Sequence, residues 1–370
     1  MNQMDIEQAT EQFRRLLTEQ LARQEDMERN AAKADLQGKP VTIGICPGDG
    51  IGPIIVQEAV RVMEVLLAED LASGQVALRP IEGLTIEARQ ACGKPLPPET
   101  LEAVLACDVL LKGPTMTPKG GTLESANVAL RRELDLYANC RPVTVPEKGI
   151  DWMFFRENTE GEYVLGSRGV EVPGKLAMDF RVTTDAGTRR IARAALAYAR
   201  ANGKTRVTVV TKANILKKTD GLFSQICQEE AAAYPEIQLE DLYVDIMTAK
   251  LIDPAEQGKF QVILTPNLYG DILTDEAAQI QGGVGTAGSV NMGDRYAMFE
   301  AVHGTAPQLI EEGKGHLADP SSILKATEML LRHIGRVAQA DCLQAALDRT
   351  HKAPGESATA LTDRLLEELG

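Results

Sequence analysis

Aromatic residues make up only 4% of this 370-residue chain, and tryptophan occurs once. Positive charge is also scarce: 39 lysines and arginines stand against 53 aspartates and glutamates, a formal charge of −14. Nucleic acid and acidic membrane surfaces both require local positive potential, so this balance argues against either as a partner. A small anionic ligand needs only a local basic cluster and stays open. The cysteines Cys46, Cys92, Cys107, Cys140, Cys227 and Cys342 are scattered, with no CxxC pair and no zinc-type spacing, which is the usage of a reduced cytoplasmic protein. No apolar run reaches transmembrane length. The N-terminus, MNQMDIEQATEQFRR, is acidic and polar where a signal peptide would be basic and then apolar.

The length suits two domains with a large core. Residues 5 to about 30 place Ile6, Phe13, Leu17, Leu21 and Met27 at helical spacing in charged sequence, so a helix with one narrow apolar stripe is expected, packed on the body of the protein or on a partner chain. LQGKP then breaks it. VTIGICPGDGIGPIIVQEAVRVMEVLL reads as a buried strand, a Gly/Pro turn and an amphipathic helix. Further strands are expected at CDVLLKGP, RVTVVTKAN and FQVILTPN, and a helix at GTRRIARAALAYARANG. Such alternation indicates an α/β protein with a largely parallel sheet, and residues 167–185 read as a small antiparallel excursion. The strands end in the polar turns PGDGIG, KGPTMTPKGGT, TKANILK and TPNLYGD. Ligands of open α/β sheets bind at the carboxyl ends of strands, so these turns are expected to serve one cleft.

GGVGTAG contains a literal GxGxxG at Gly283, Gly285 and Gly288, but it follows a helical stretch and opens no helix. A dinucleotide fingerprint needs the opposite context, so these glycines are expected in a loop. Asp271 and Asp275 stand four apart in NLYGDILTDEAAQ, directly after FQVILTP. On one helix face they repel by roughly 0.2–0.5 kcal/mol. Either they favour the positive end of a helix in its first turn, or they hold a divalent cation through hard oxygen ligands; the stretch alone leaves both open. In GGTLESANVALRRELDLYANCRPV, Ser125 and Asn127 sit at an expected helix start, where hydroxyl, amide and backbone N–H groups can receive an anion. Arg131, Arg141 and Arg156 follow. A guanidinium fork matches a carboxylate bidentately, and several together would suit a di- or tricarboxylate, although a lone arginine more often makes a surface ion pair.

Taken together, GDGIGP, SANVALRRELDLYANCRPV, FRENTEGEY, TKANILK, NLYGDILTDEAA and EAVHGTAP, in this order over roughly residues 41 to 335, resemble the isocitrate and isopropylmalate dehydrogenases, the metal-dependent β-decarboxylating dehydrogenases. The resemblance implies a non-Rossmann α/β fold with a large cofactor-binding domain (39–136 and 282–370) and a smaller α/β dimerisation domain (137–281, with a β-rich excursion near 164–185), preceded by a helical extension (1–38). It implies that Ser125 and Asn127 meet the variable end of the substrate, that Arg131, Arg141 and Arg156 grip its carboxylates, and that Asp245, Asp271 and Asp275 bind Mg²⁺ or Mn²⁺. Tyr163 and Lys212 match the family's acid and base, and the lysine and one aspartate come from the second subunit of a homodimer. The implied reaction is hydride loss from a 2-hydroxy acid to a nicotinamide, then loss of CO₂ from the β-keto acid and protonation of the resulting enolate.

The polar Ser125/Asn127 pair resembles the isocitrate type, since isopropylmalate enzymes place leucines there; homoisocitrate, tartrate or malate relatives and a non-catalytic regulatory subunit are the alternatives. The cofactor loop corresponds to His303, Gly304, Thr305, Ala306 and Pro307, followed by Gln308, with Thr117, Asn214 and Asp319 as further contacts. Gln308 matches neither the Asp common with NAD nor the Lys-Tyr of bacterial NADP enzymes. NAD is the expected cofactor and NADP the alternative, with Lys314 and His316 as the residues able to reverse that preference.

Overall fold

Long-range β pairing organises the chain, as its apolar runs between glycine-rich turns demand. The computed structural model describes residues 3–29, 36, 38–117, 123–166, 168–172, 174–283, 285 and 287–369. Among these the strands are β1 (Val41–Cys46), β2 (Val76–Pro80), β3 (Val109–Lys112), β4 (Ala138–Val145), β5 (Ile150–Glu157) and β6 (Val170–Val172). They continue as β7 (Leu176–Met178), β8 (Arg206–Thr211), β9 (Gln238–Tyr243), β10 (Val262–Thr265), β11 (Gly288–Met292) and β12 (Ala297–Ala301). Two compact units result. One holds Met1–Ala32, Tyr137–Asn139 and Thr144–Ala277; the other holds Lys33–Leu136, Cys140–Val143 and Ala278–Gly370.

In the second of these units β2, β1, β3 and β12 pair in parallel in that order, and β11 closes antiparallel on β12. Parallel strands are covered on both faces, which is why VLLK and AMFEA read as unbroken runs rather than alternations. The turns following β1, β3 and β12 meet at the carboxyl ends of their strands. Asp49 N–H donates to Pro114 O (2.7 Å) and Ile51 N–H to Thr305 O (3.1 Å). This contact requires glycine: Gly48 has φ 76° and Gly50 φ 60°, and a Cβ would lie 2.2 Å from Pro114 O or Thr305 O respectively. Asp49 is buried and wholly structural, accepting Ile86 N–H (2.8 Å) and Met116 N–H (2.7 Å) beside the buried Arg89. The part of the expected turn at residues 118–122 lies outside the described residues.

In the other unit β5, β10, β8 and β9 pair in parallel. Trp152, Phe154 and Phe155 of β5 and Val262, Ile263 and Leu264 of β10 form its core. Helix Asp185–Ala201 starts where Thr184 Oγ1 accepts Gly187 N–H (3.1 Å), and it buries Ile191, Ala192, Ala195, Leu196 and Ala199. The excursion is the antiparallel pair β6–β7. The N-terminal helix, Gln3–Arg29, packs within this unit: Phe13 meets Phe180 with ring centroids 5.4 Å apart, and Leu16 is 2% exposed. Ile6, Phe13, Leu17 and Leu21 nonetheless keep much of their surface exposed, so apolar burial contributes little more than the roughly 1.5–3 kcal/mol of Leu16. Polar ties carry the rest.

Of the GGVGTAG glycines, Gly283 and Gly285 follow the Asn267–Gln281 helix, with Val284 and Thr286 outside the described residues, whereas Gly288 is not in a loop but opens β11, where a Cβ would lie 2.6 Å from Ala326 N. Among the described residues no strand precedes them and no helix follows directly. No described helix is long and apolar enough to cross a membrane.

Candidate active site

Arg156, the penultimate residue of β5, is 1% exposed, so its charge must be met inside the protein. Its Nε and Nη2 donate to Asn267 Oδ1 (3.1 and 2.7 Å), and its Nη1 donates to Asp271 Oδ1. Tyr163 Oη donates to the other oxygen, Asp271 Oδ2, at 2.8 Å, and its ring lies 5.4 Å from the Arg156 guanidinium carbon. Asp275 stands one turn further along the same helix and is exposed.

Lys212, at the end of β8, forms a second cluster. Its backbone N–H donates to the buried Asp220 (2.6 Å), and its Nζ pairs with Asp245 Oδ1 at the start of helix Val244–Leu251. The Lys212 hydrogen bond, helped by backbone N–H groups, holds the Asp245 carboxyl below the usual range. Among the described residues no three His, Cys, Asp or Glu side chains gather as a metal-holding group. One chain therefore presents Asp271 with Tyr163 in one place and Asp245 with Lys212 in another. Asp245, Asp271 and Asp275 supply only carboxylate oxygens, the donor set that fits Mg²⁺ or Mn²⁺.

The other unit carries Ser125, Asn127, Arg131 and Arg141. Ser125 is the N-cap of helix Ala126–Glu133, and its side chain makes no capping bond, which leaves the hydroxyl at a helix N-terminus for another acceptor. Asn127 is held by Thr115 through its Oδ1 (3.1 Å) and by Glu300 through its Nδ2 (3.3 Å). Arg131 Nη2 reaches Glu300 Oε1 (3.4 Å), while its buried Nε makes no hydrogen bond among the described residues, an open donor for an anion. Arg141 lies buried on β4.

Glu300 is the hub of this group and also meets Lys112 Nζ (3.3 Å) and Asn291 Nδ2 (2.7 Å). Burial acts to raise its pKa, but the Lys112 and Arg131 charges and the Asn291 bond outweigh it and hold the carboxyl down at about 2. Sequence reasoning missed Lys112 and Glu300, as it missed Asn267 and Asp220. The available signal was a charge at the end of a short apolar strand, VLLK and AMFE.

The loop after β12 turns sharply at Ala306, which has φ 44°, into the helix Pro307–Glu311. His303 Nδ1 lies 3.0 Å from Gly304 O, and its buried Nε2 has no hydrogen-bond partner among the described residues. Gly304 and Gln308 are exposed and Thr305 is buried. Asp319 accepts Ser321 N–H (2.9 Å) just before the next helix, and Lys314 pairs with Glu312 (2.8 Å). Thr117 and Asn214 are exposed.

Carboxylates, guanidiniums, a tyrosine and a lysine at and beyond the strand ends of an α/β architecture are groups able to bind a small anion and to move protons. Residues 42–364 match the family described as isocitrate/isopropylmalate dehydrogenase. The chain is 38% identical over 301 residues to a probable isocitrate dehydrogenase [NAD] subunit alpha, mitochondrial, of Caenorhabditis elegans, covering 79% of each chain. It is 39% identical over 322 residues to a 3-isopropylmalate dehydrogenase of Methanothermobacter thermautotrophicus, covering 84% of this chain and 91% of that one. The crystal structure of isocitrate dehydrogenase from Methylococcus capsulatus superposes with a TM-score of 0.79 at 35% identity, over 89% of this chain and 99% of that one. The chain belongs to the isocitrate/isopropylmalate dehydrogenase family. It is thus an enzyme of the decarboxylating dehydrogenase type, a family that uses NAD(P) and a divalent metal.

Proposed function

We propose that this protein is a cytoplasmic isocitrate dehydrogenase, converting isocitrate to 2-oxoglutarate and CO₂ with NAD as hydride acceptor and Mg²⁺ or Mn²⁺ as the metal, in a homodimer whose active sites are shared. The observation that carries the choice of substrate is the polar start of helix Ala126–Glu133. There Ser125 keeps its hydroxyl, Asn127 is held in place, and Arg131 keeps a buried donor open. An alkyl group at this end would offer the Ser125 hydroxyl no acceptor, whereas a carboxylate would accept from it, a difference of about 1.5–3 kcal/mol for a hydrogen bond to a charged group.

In this reading Arg131, Arg141 and Arg156 orient the carboxylates, and Asn267 keeps the Arg156 fork aimed. Asp271, Asp275 and the partner's Asp245 hold the cation, which when bound supplies Lewis-acid polarisation of the oxygen at the reacting carbon. Lys212 takes the proton of the hydroxyl, and Tyr163 returns one to carbon after decarboxylation. The loop from His303 to Gln308, with Thr117, Asn214 and Asp319, receives the nucleotide. NAD is favoured because Gln308 brings no positive charge and Lys314 is engaged by Glu312. The unit holding Lys33–Leu136 and Ala278–Gly370 takes the cofactor-binding role, and the unit of Thr144–Ala277 builds the dimer.

Initial rates with Mn²⁺ are expected to favour isocitrate over 3-isopropylmalate by at least about 10²-fold, by the scale on which paired polar sites reject unsuitable analogues. They are expected to be higher with NAD than with NADP and to vanish with chelator. A kcat/KM on 3-isopropylmalate equal to or above that on isocitrate would establish the second reading, which the Methanothermobacter relative favours. Metal binds only the folded site, so added Mn²⁺ should also raise the unfolding temperature of the metal-free protein, by about 2.7 kcal/mol of stability at 100 times its Kd. Substituting Asp271→Asn should abolish that rise.

A further inference from the structure

The N-terminal helix lies outside the residues that match the family, which begin at 42. Its polar side chains nevertheless bracket the segment that carries Tyr163. On one side of Tyr163, Arg23 Nη2 contacts Glu160 Oε1 (3.2 Å) and Thr159 Oγ1 (3.4 Å), and Gln20 Oε1 steadies the same guanidinium (3.2 Å). On the other side, Gln12 Nε2 donates to Arg168 O (3.2 Å) and Gly169 O (2.5 Å), and Glu19 pairs with Arg168 (2.6 Å). Gln24 Oε1 accepts Ala186 N–H (3.3 Å), beside the Thr184 cap that also binds Glu160.

From Glu160 the bonds continue inward. Asn267 Nδ2 donates to Glu160 O (3.1 Å), Asn267 Oδ1 accepts from Arg156, and Arg156 and Tyr163 both donate to Asp271. Every member lies in the unit of Met1–Ala32 and Thr144–Ala277. Glu160 is buried with Glu157 close by, and burial followed by that neighbour pushes its carboxyl up to about 7, which Arg23 opposes. Arg23 thus contributes a nearby cation in favour of the ionised Glu160.

We propose that the N-terminal helix is a positioning strap for the active site, with Arg23 a positioning residue that acts through Glu160 and Asn267 to set Arg156, Asp271 and Tyr163. The inference rests on the reading of Tyr163 and Arg156 given above. A strap of this kind acts on the hydroxy-acid side of the reaction and leaves the nucleotide loop untouched, since a small misplacement of reacting groups is felt steeply in turnover.

The test uses the full chain, with Arg23→Met, Arg23→Lys and Tyr163→Phe. Steady-state kinetics on isocitrate and amide hydrogen exchange of residues 157–169 are measured on each. Arg23→Met is expected to speed exchange in that segment, to lower kcat/KM for isocitrate by about 10- to 100-fold and to leave the KM for NAD unchanged. Arg23→Lys should return activity to within about threefold of the parent. A merely structural loss would instead scale kcat through the active fraction and leave both KM values alone, and that result overturns the proposal. Unchanged exchange in Arg23→Met also overturns it, as does unchanged turnover in Arg23→Met while Tyr163→Phe is inactive. Full turnover by Tyr163→Phe removes the reading of Tyr163 itself, and the proposal with it.

Discussion

Replacing Lys212 by methionine, or Tyr163 by phenylalanine, is expected to lower kcat by about 10²–10⁴-fold, the range lost when a positioned acid or base is removed. The KM for NAD should change little in either variant. The more discriminating result comes from mixing the two. Within one chain Lys212 pairs with Asp245, whereas Tyr163 bonds Asp271. If each active site takes its lysine from the partner, a dimer of one Lys212→Met and one Tyr163→Phe chain contains one intact site. Random reassociation of equal amounts then restores roughly a quarter of the parental activity from two nearly inactive proteins, because half the dimers are mixed and each has one working site. A mixture no more active than its components would overturn the shared site, and residual turnover above about a tenth in either single variant would remove that residue's proton-transfer role.

Glu300→Gln is expected to cost about 3–5 kcal/mol of stability, because it leaves the Lys112 and Arg131 charges buried without their anion. Glu300 is 6% exposed and Lys112 fully buried, so water cannot substitute. Chemical unfolding measures the loss, and the double variant Lys112→Met/Glu300→Met should be markedly less damaged than Glu300→Gln, since it removes both charges together. The same carboxylate sets a pH dependence. Its folded pKa of about 2 lies below the ordinary 4.5, so its stabilisation is complete above pH 4.5 and is lost as pH falls towards 2. Over that window the parent should lose up to about 3 kcal/mol that Glu300→Gln does not. Parallel acid-unfolding curves for the two proteins would show that Glu300 is not the titrating group.

Several parts of this enzyme could be read directly from its residues. The β1 turn glycines, the amphipathic helix over 185–201 and the apolar runs of β3, β8 and β10 are local properties, fixed by backbone conformation and periodicity within a dozen or so residues. The β6–β7 excursion is of the same kind. The Asp271/Asp275 pair was legible only as an ambiguity between acids of a helix's first turn and ligands of a cation; the helix begins at Asn267 with no acid in its first turn, which removes the first of these readings. What distinguishes Asp271 is its bonds to Arg156 and Tyr163, 115 and 108 residues away.

By itself, then, the sequence determined the α/β class, the family and the chemical types of residue at the strand ends. Tertiary structure alone decided which of them meet. Glu300 finds Lys112 across 188 residues, and the N-terminal helix finds Glu160 across 137. Periodicity carries no information at such separations: a buried charge acquires its partner only when parallel strands and packed helices bring distant segments to one spot, and the cost of leaving it unpaired then selects that arrangement.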